Sequence, residues 1–169
     1  LADLLEHPLA LFDAVADGIR SYSSQLMTIH PGATGSSVYE FSNASWLDFH
    51  MLQSGQQDDI SPENLELVWE ARGTGRPVID GESIYDDKPD GMYSGGSLVR
   101  VGADAVRRKA YRSVLAGAFG FVHGHNDIQV LFVPGQDASL HGQRGHWKDA
   151  LDRDAAKQMT VMKQLITNS

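Results

Sequence analysis

Amphipathic helical stripes alternate along this chain with short apolar runs that end in polar residues, and this pattern constrains the fold more than any other feature. Leu9 to Tyr22 places Phe12, Val15, Ala16 and Ile19 on one helical face. The run Leu26-Met27-Thr28-Ile29 then reads as a strand that ends at His30, just before Pro31-Gly32. A loop rich in Gly, Ser and Thr covers 33–45, and Trp46 to Met51 alternates as a strand, which would put Asp48 and His50 on one face. Ser61-Pro62 opens a second helix as N-cap and first helical residue, with Leu65, Val68, Trp69 and Arg72 as its stripe and Gly73 as its stop. Pro77-Val78-Ile79 is a third strand, and alternation would bring Asp80 and Glu82 out on one side. After a long loop over 83–102, a helix carries Val106, Ala110, Tyr111, Val114, Leu115 and Ala118. Gly120 to Gly124 reads as a last strand, and Met159, Met162, Leu165 and Ile166 mark a closing helix.

This order of elements predicts parallel βαβ units in one uninterrupted unit, 1–169. In such folds reactive groups gather at the carboxyl ends of strands, where loops vary over a rigid core. His30, Glu82 and His123 all stand at such ends. With 169 residues and 41% hydrophobic content, the chain can enclose a core of its own. Its 22 acidic against 14 basic residues give a net charge of −8, which disfavours nucleic acid and anionic lipid as partners. Cysteine is absent, so thiolate chemistry and disulfides are excluded. The apolar runs fall short of the ~20 residues that a membrane helix needs.

The side chains also admit plainer readings. Glu82 on sequence alone is more often a solvated carboxylate at a strand end than a reactive one. Asp80, one pleat deeper, suits a structural role, because a buried carboxylate must be paired. Asp48 is evenly balanced between substrate binding and structure, and His30 between ligand contact and fixing a loop. Packing accounts for Trp46 and Trp69, whereas Trp147 lies in polar, Gly-rich surroundings where it could stack on a ring. A metal centre is the chemical rival: His30, His50, His123 and His125 with Asp48 or Asp80 would have to converge at one mouth.

Several segments, taken in order, carry a resemblance: Met27-Thr28-Ile29-His30-Pro31-Gly32, Ser36-Ser37, Trp46-Leu47-Asp48-Phe49, Gln53-Ser54-Gly55, Arg76 to Glu82 with Tyr85, Val106-Arg107-Arg108 with Ala110-Tyr111, and Ala116 to Gly120. With these motifs the chain, from about Leu9 onward, resembles the apiosidase-like glycoside hydrolases, bacterial (β/α)8 enzymes. The resemblance implies an α/β fold of TIM-barrel type in which this chain covers roughly strands five to eight. A barrel of this kind takes roughly 250 residues, so the N-terminal half-barrel, or another chain, is expected as a partner. The family places one catalytic carboxylate after strand seven, which maps to Glu82, and its partner acid after strand four, outside this chain.

That reading implies a retaining glycosidase with Glu82 as nucleophile, acting on a plant or microbial polysaccharide, secreted or periplasmic and without a cofactor. His30, Asp48, Gln53, Tyr85, Arg107, His123 and Trp147 are the candidate substrate-binding residues. Relatives carry Tyr-Gly and then Trp after strand eight, where this chain has His123-Gly124 and Gln129. A non-catalytic, carbohydrate-binding fragment is a further alternative.

Overall fold

The computed structural model describes residues 8–32, 34–55, 63–90, 99–136 and 139–168. Along the chain run α1 (Pro8–Arg20), α2 (Val38–Phe41), β1 (His50–Leu52), α3 (Glu63–Gly73), β2 (Val78–Asp80), β3 (Tyr85–Asp86), α4 (Ala103–Leu115), β4 (Gly120–Phe121), β5 (Gly124–His125), α5 (Trp147–Ala150) and α6 (Asp154–Thr167). The four longer helices fall where the apolar periodicity predicts them. The expected start at Ser61-Pro62 and residues 91–98 of the 83–102 loop lie outside the described residues.

All strand pairs are parallel. One sheet has the order β1-β2-β4, with His50 opposite Val78, Leu52 opposite Asp80, and Asp80 in turn opposite Phe121. The second is the pair β3-β5, with Tyr85 opposite Gly124. The pair β3-β5 continues β2 and β4 in the same direction, and helices cover one side of the sheet. Leu52 and Val78 pack there against Leu67, Val68 and Ala71 of α3, and Val106 of α4 meets Ile84, Val101 and Ala155. Each buried Leu, Val or Ile among them contributes about 1.5–3 kcal/mol on full burial. This is an arc of a β/α barrel, with its helices outside.

Three local expectations are corrected. Leu26–His30 does not join a ladder. Met27 O accepts from Asp48 N, but the Asp48 carboxylate takes the Met27 N–H, and the antiparallel segment around Ser36 occupies the edge of β1 above it. Side-chain bonds have thus replaced backbone pairing. Next, the stripe assigned to α3 is shifted, because Leu67, Val68 and Ala71 are buried while Trp69 is exposed. Third, on α1 only Ala16 is buried, and Phe12, Val15 and Ile19 of the same stripe face outward. An apolar helical stripe needs a covering surface. Among the described residues, Phe12 meets the Phe41 ring at 5.2 Å, while Val15 and Ile19 stay exposed. No helix among them is long and apolar enough to cross a membrane.

Candidate active site

Strand register decides where Glu82 sits. Asp80 lies opposite Phe121 and Tyr85 opposite Gly124, so the four residues 81–84 on one strand face only two, Val122 and His123, on the other. The two extra residues form a bulge, a device that ends alternation and re-aims side chains. Glu82 is in this bulge, at the carboxyl end of β2. Leu52 O accepts from both Gly81 N at 2.9 Å and Glu82 N at 3.3 Å, and Ser54 Oγ lies 3.1 Å from Ser83 Oγ. A Cβ on Gly81 would meet Met51 Cγ at 2.5 Å, so the Met51 side chain lies close over this backbone.

The bulge also separates Asp80 from Glu82, contrary to the alternation. Asp80 turns under the helices, where its Oδ2 accepts from Ser113 Oγ of α4 at 2.7 Å and from Ser54 Oγ at 2.8 Å. Burial pushes the Asp80 carboxyl above the usual carboxylate range, against the pull of these two hydroxyls and of Lys109. Asp80 is therefore a structural clamp tying β2 and the end of β1 to α4. Glu82 is only partly buried, and its Oε2 lies 3.1 Å from His30 Nε2. His30 Nδ1 is 2.8 Å from Pro31 O. Two residues fifty-two positions apart in the chain thus meet.

Of the other candidates, Gln53 directly follows the carbonyl that holds the bulge, and His123 faces the bulge from the neighbouring strand. Burial lowers the basicity of His123. Tyr85 lies just beyond, its ring packed on Gly124, with Lys88 Nζ 5.3 Å from the ring centroid. Beside His30 opens a cavity of about 330 Å³, lined in part by Phe12, Ile29, Ser36 and Tyr39.

Three candidates are placed elsewhere. Asp48 precedes β1, at the opposite end of that strand from Leu52. It binds Arg20 and the Met27 N–H, and these bonds hold its carboxyl below the ordinary range. Arg107 pairs with Asp104 and donates to Gln158 of α6 at 2.7 Å, which assigns it to the contact between helices. Trp147 opens α5, stacked on His146 at 6.0 Å and near Lys148. Sequence spacing missed these outcomes because it does not reveal which end of a strand, or which side of a helix, a residue occupies.

The histidines do not assemble as a metal reading requires. His30 is with Glu82, and His50 Nδ1 is 2.9 Å from Ser37 Oγ in the core. Among the described residues, one group has metal-ligand spacing, the buried Asp87, His125 and Asp127. Its chemistry does not suit a cation. Arg144 binds both Asp87 oxygens, at 2.9 and 2.5 Å, and Arg100 lies 3.4 Å away. His125 Nδ1 accepts from Asp127 N at 3.0 Å, so the neutral ring carries its hydrogen on Nε2, 3.8 Å from Asp86. Desolvation shifts Asp86 up and His125 down, favouring the uncharged form of each. The cluster is an internally compensated support for the β3-β5 pair.

Comparison with known proteins follows the same lines. Residues 3–169 match the model of the family described as apiosidase-like, catalytic domain. A solved structure named glycoside hydrolase superposes with a TM-score of 0.81 at 35% identity, covering 90% of this chain and 38% of that one. The crystal structure of a glycoside hydrolase family 5 protein from Bacteroides vulgatus gives 0.80 at 39% identity, covering 90% of this chain and 36% of that one. No curated protein matches. The chain spans well under half the length of either structure, with the arc of strands and outer helices expected for part of a TIM barrel. By the family match and by both structural likenesses, the chain belongs to the apiosidase-like family of glycoside hydrolases.

Proposed function

We propose that this chain supplies the nucleophile of a retaining glycosidase that acts on a plant or microbial polysaccharide. The observation that carries this reading is Glu82 in a bulge at the carboxyl end of its strand, in contact with His30. Retention needs a second carboxyl group about 5 Å from the first, to protonate the leaving oxygen. Asp80, the next acid on the strand, is committed to Ser54 and Ser113 beneath the helices. The acid/base therefore comes from a polypeptide that supplies the remaining βα units. The outward apolar stripe of Phe12, Val15 and Ile19 on α1 and the open arc of the sheet suit such a polypeptide.

Hydrolysis of aryl glycosides by the complete enzyme tests the assignment. Glu82→Gln should lower kcat/KM by on the order of 10³-fold or more. An unchanged rate would remove Glu82 from the chemistry. The intact mass and oligomeric state of the purified protein show which polypeptide completes the barrel.

A further inference from the structure

A second cavity, of about 430 Å³, lies where β3 meets the first turns of α4 and α6. Gly102 and Ala103 line it from α4, and Arg153 and Ala155 from α6. Neither helix has a side chain bonded to its first turn as a cap. The first N–H groups of a helix have no partner within it, and the helix dipole adds positive potential there, so two such ends on one space favour an anion. The side chains share this polarity. Arg144 holds both oxygens of Asp87 and Arg100 lies 3.4 Å from one of them, so two guanidinium groups stand against one carboxylate. Arg153 is exposed and, among the described residues, makes no side-chain hydrogen bond or ion pair.

Buried polar groups beside the cavity also point to a ligand. Asp86, on its wall, has a side chain only 9% exposed, and no side chain among the described residues hydrogen-bonds to it. His125 Nε2 stops 3.8 Å short of Asp86 Oδ2 and is itself buried without a partner among the described residues. Burial raises the Asp86 carboxyl, against the pull of His125 and Arg153, which favours its acid form, a donor. Of the remaining acids, Asp127 accepts from the N–H groups of Arg144 and Gly145, and Asp154 belongs to the first turn of α6. We propose that this cavity binds a tetrahedral oxyanion, phosphate or sulfate: Arg153 and the first-turn N–H groups of α4 and α6 receive it, and Asp86 meets it as a carboxylic acid. Donors from two helices and a side chain suit an anion with several oxygens. A free ion and the same group borne by a sugar share this chemistry, and the cavity is large enough for a sugar-sized ligand. The site is independent of the reading of Glu82.

Isothermal titration of the complete enzyme with sodium sulfate, sodium phosphate and glucose 6-phosphate, at ionic strength matched with sodium chloride, tests the site. At least one of these probes should bind saturably, and Arg153→Gln should weaken that binding by about 10-fold or more. Arg153→Lys, which keeps the charge, should restore part of the loss. Because Arg153 is exposed, Arg153→Gln should keep the native circular dichroism spectrum and melting temperature, so that the loss reads as binding and not as folding. Asp86→Asn keeps a neutral donor and should hold the affinity within about 3-fold; a gain of about 10-fold or more would show that native Asp86 repels the anion as a carboxylate, and would overturn its part in the proposal. Tighter binding of glucose 6-phosphate than of inorganic phosphate assigns a sugar-borne group to the cavity, and the reverse order assigns the free ion. No saturable binding of any probe, or binding that Arg153→Gln leaves unchanged, would overturn the site.

Discussion

Asp80 can be tested without any substrate. It is fully buried at the end of β2, with two hydroxyls on Oδ2 and no partner on Oδ1. Asp80→Ala leaves the Ser113 hydroxyl unpaired in the core, while Ser54 keeps its contact with Ser83. One orphaned buried donor costs about 1–3 kcal/mol, and the weakened second bond raises the expected loss to about 2–4 kcal/mol. Asp80→Asn keeps an oxygen for both hydroxyls, so if the native carboxyl is protonated, this change costs under about 1 kcal/mol. If instead Asp80 is ionised against Lys109, Asn would strand a buried ammonium at about 3–5 kcal/mol.

The pH dependence has a definite sign. Burial raises the folded-state value of Asp80, so the folded chain keeps a proton that the unfolded chain loses near pH ~3.9. This contribution to stability is full below that point and declines as pH rises toward the folded value. Asp80→Asn should abolish that decline. Urea denaturation followed by circular dichroism at pH 5 and pH 7 reads both effects. Equal losses for Asn and Ala at pH 7 would refute a protonated Asp80.

Other predictions follow from single contacts. Burial holds His50, His123 and His125 neutral, while their unfolded counterparts gain protons below pH ~6.5. These histidines should therefore make stability fall on acidification below that point, by up to about 1.4 kcal/mol per pH unit for each that stays neutral; a flat profile between pH 7 and 5.5 in Asp80→Asn, which removes the opposing carboxyl, would contradict this. Gly124→Ala drives a methyl group into the Tyr85 ring and should cost about 1–3 kcal/mol in thermal or urea melts. Gly18→Ala, with nothing within 4 Å of the new methyl on α1, should be neutral or stabilising by up to about 1 kcal/mol. Val15→Ser on the outward stripe should leave the chain's own stability within about 0.5 kcal/mol. It should also weaken assembly with the completing half-barrel, measured by sedimentation; unchanged assembly would place the interface elsewhere.

Much of the architecture was legible because helical periodicity is local. The stripes that contain Ala16, Val68, Val106 and Met162 mark α1, α3, α4 and α6, and short apolar runs between them imply parallel strands. Glu82 could likewise be named as a strand-end residue, since a polar side chain that closes an apolar run leaves the core, whereas His30 closes an apolar run that joins no ladder. Which side a residue faces was less secure. Phe12 and Trp69 carry the apolar signal of buried residues, yet both are exposed, because burial depends on what packs opposite.

By itself, then, the sequence determined the order of elements, the acidic surface, the absence of thiol chemistry and the set of residues able to react. Tertiary structure alone decided which of them meet. Alternation over Asp80-Gly81-Glu82 assumes an unbroken strand, and the bulge of 81–84 against Val122 and His123 breaks it, sending Asp80 beneath α4 and Glu82 to His30. Asp48 and Arg107, equally plausible by residue type, were drawn to Arg20 and to α6. The physical reason is that register is a relation between two strands: no single segment encodes how many of its residues will stand opposite its neighbour's.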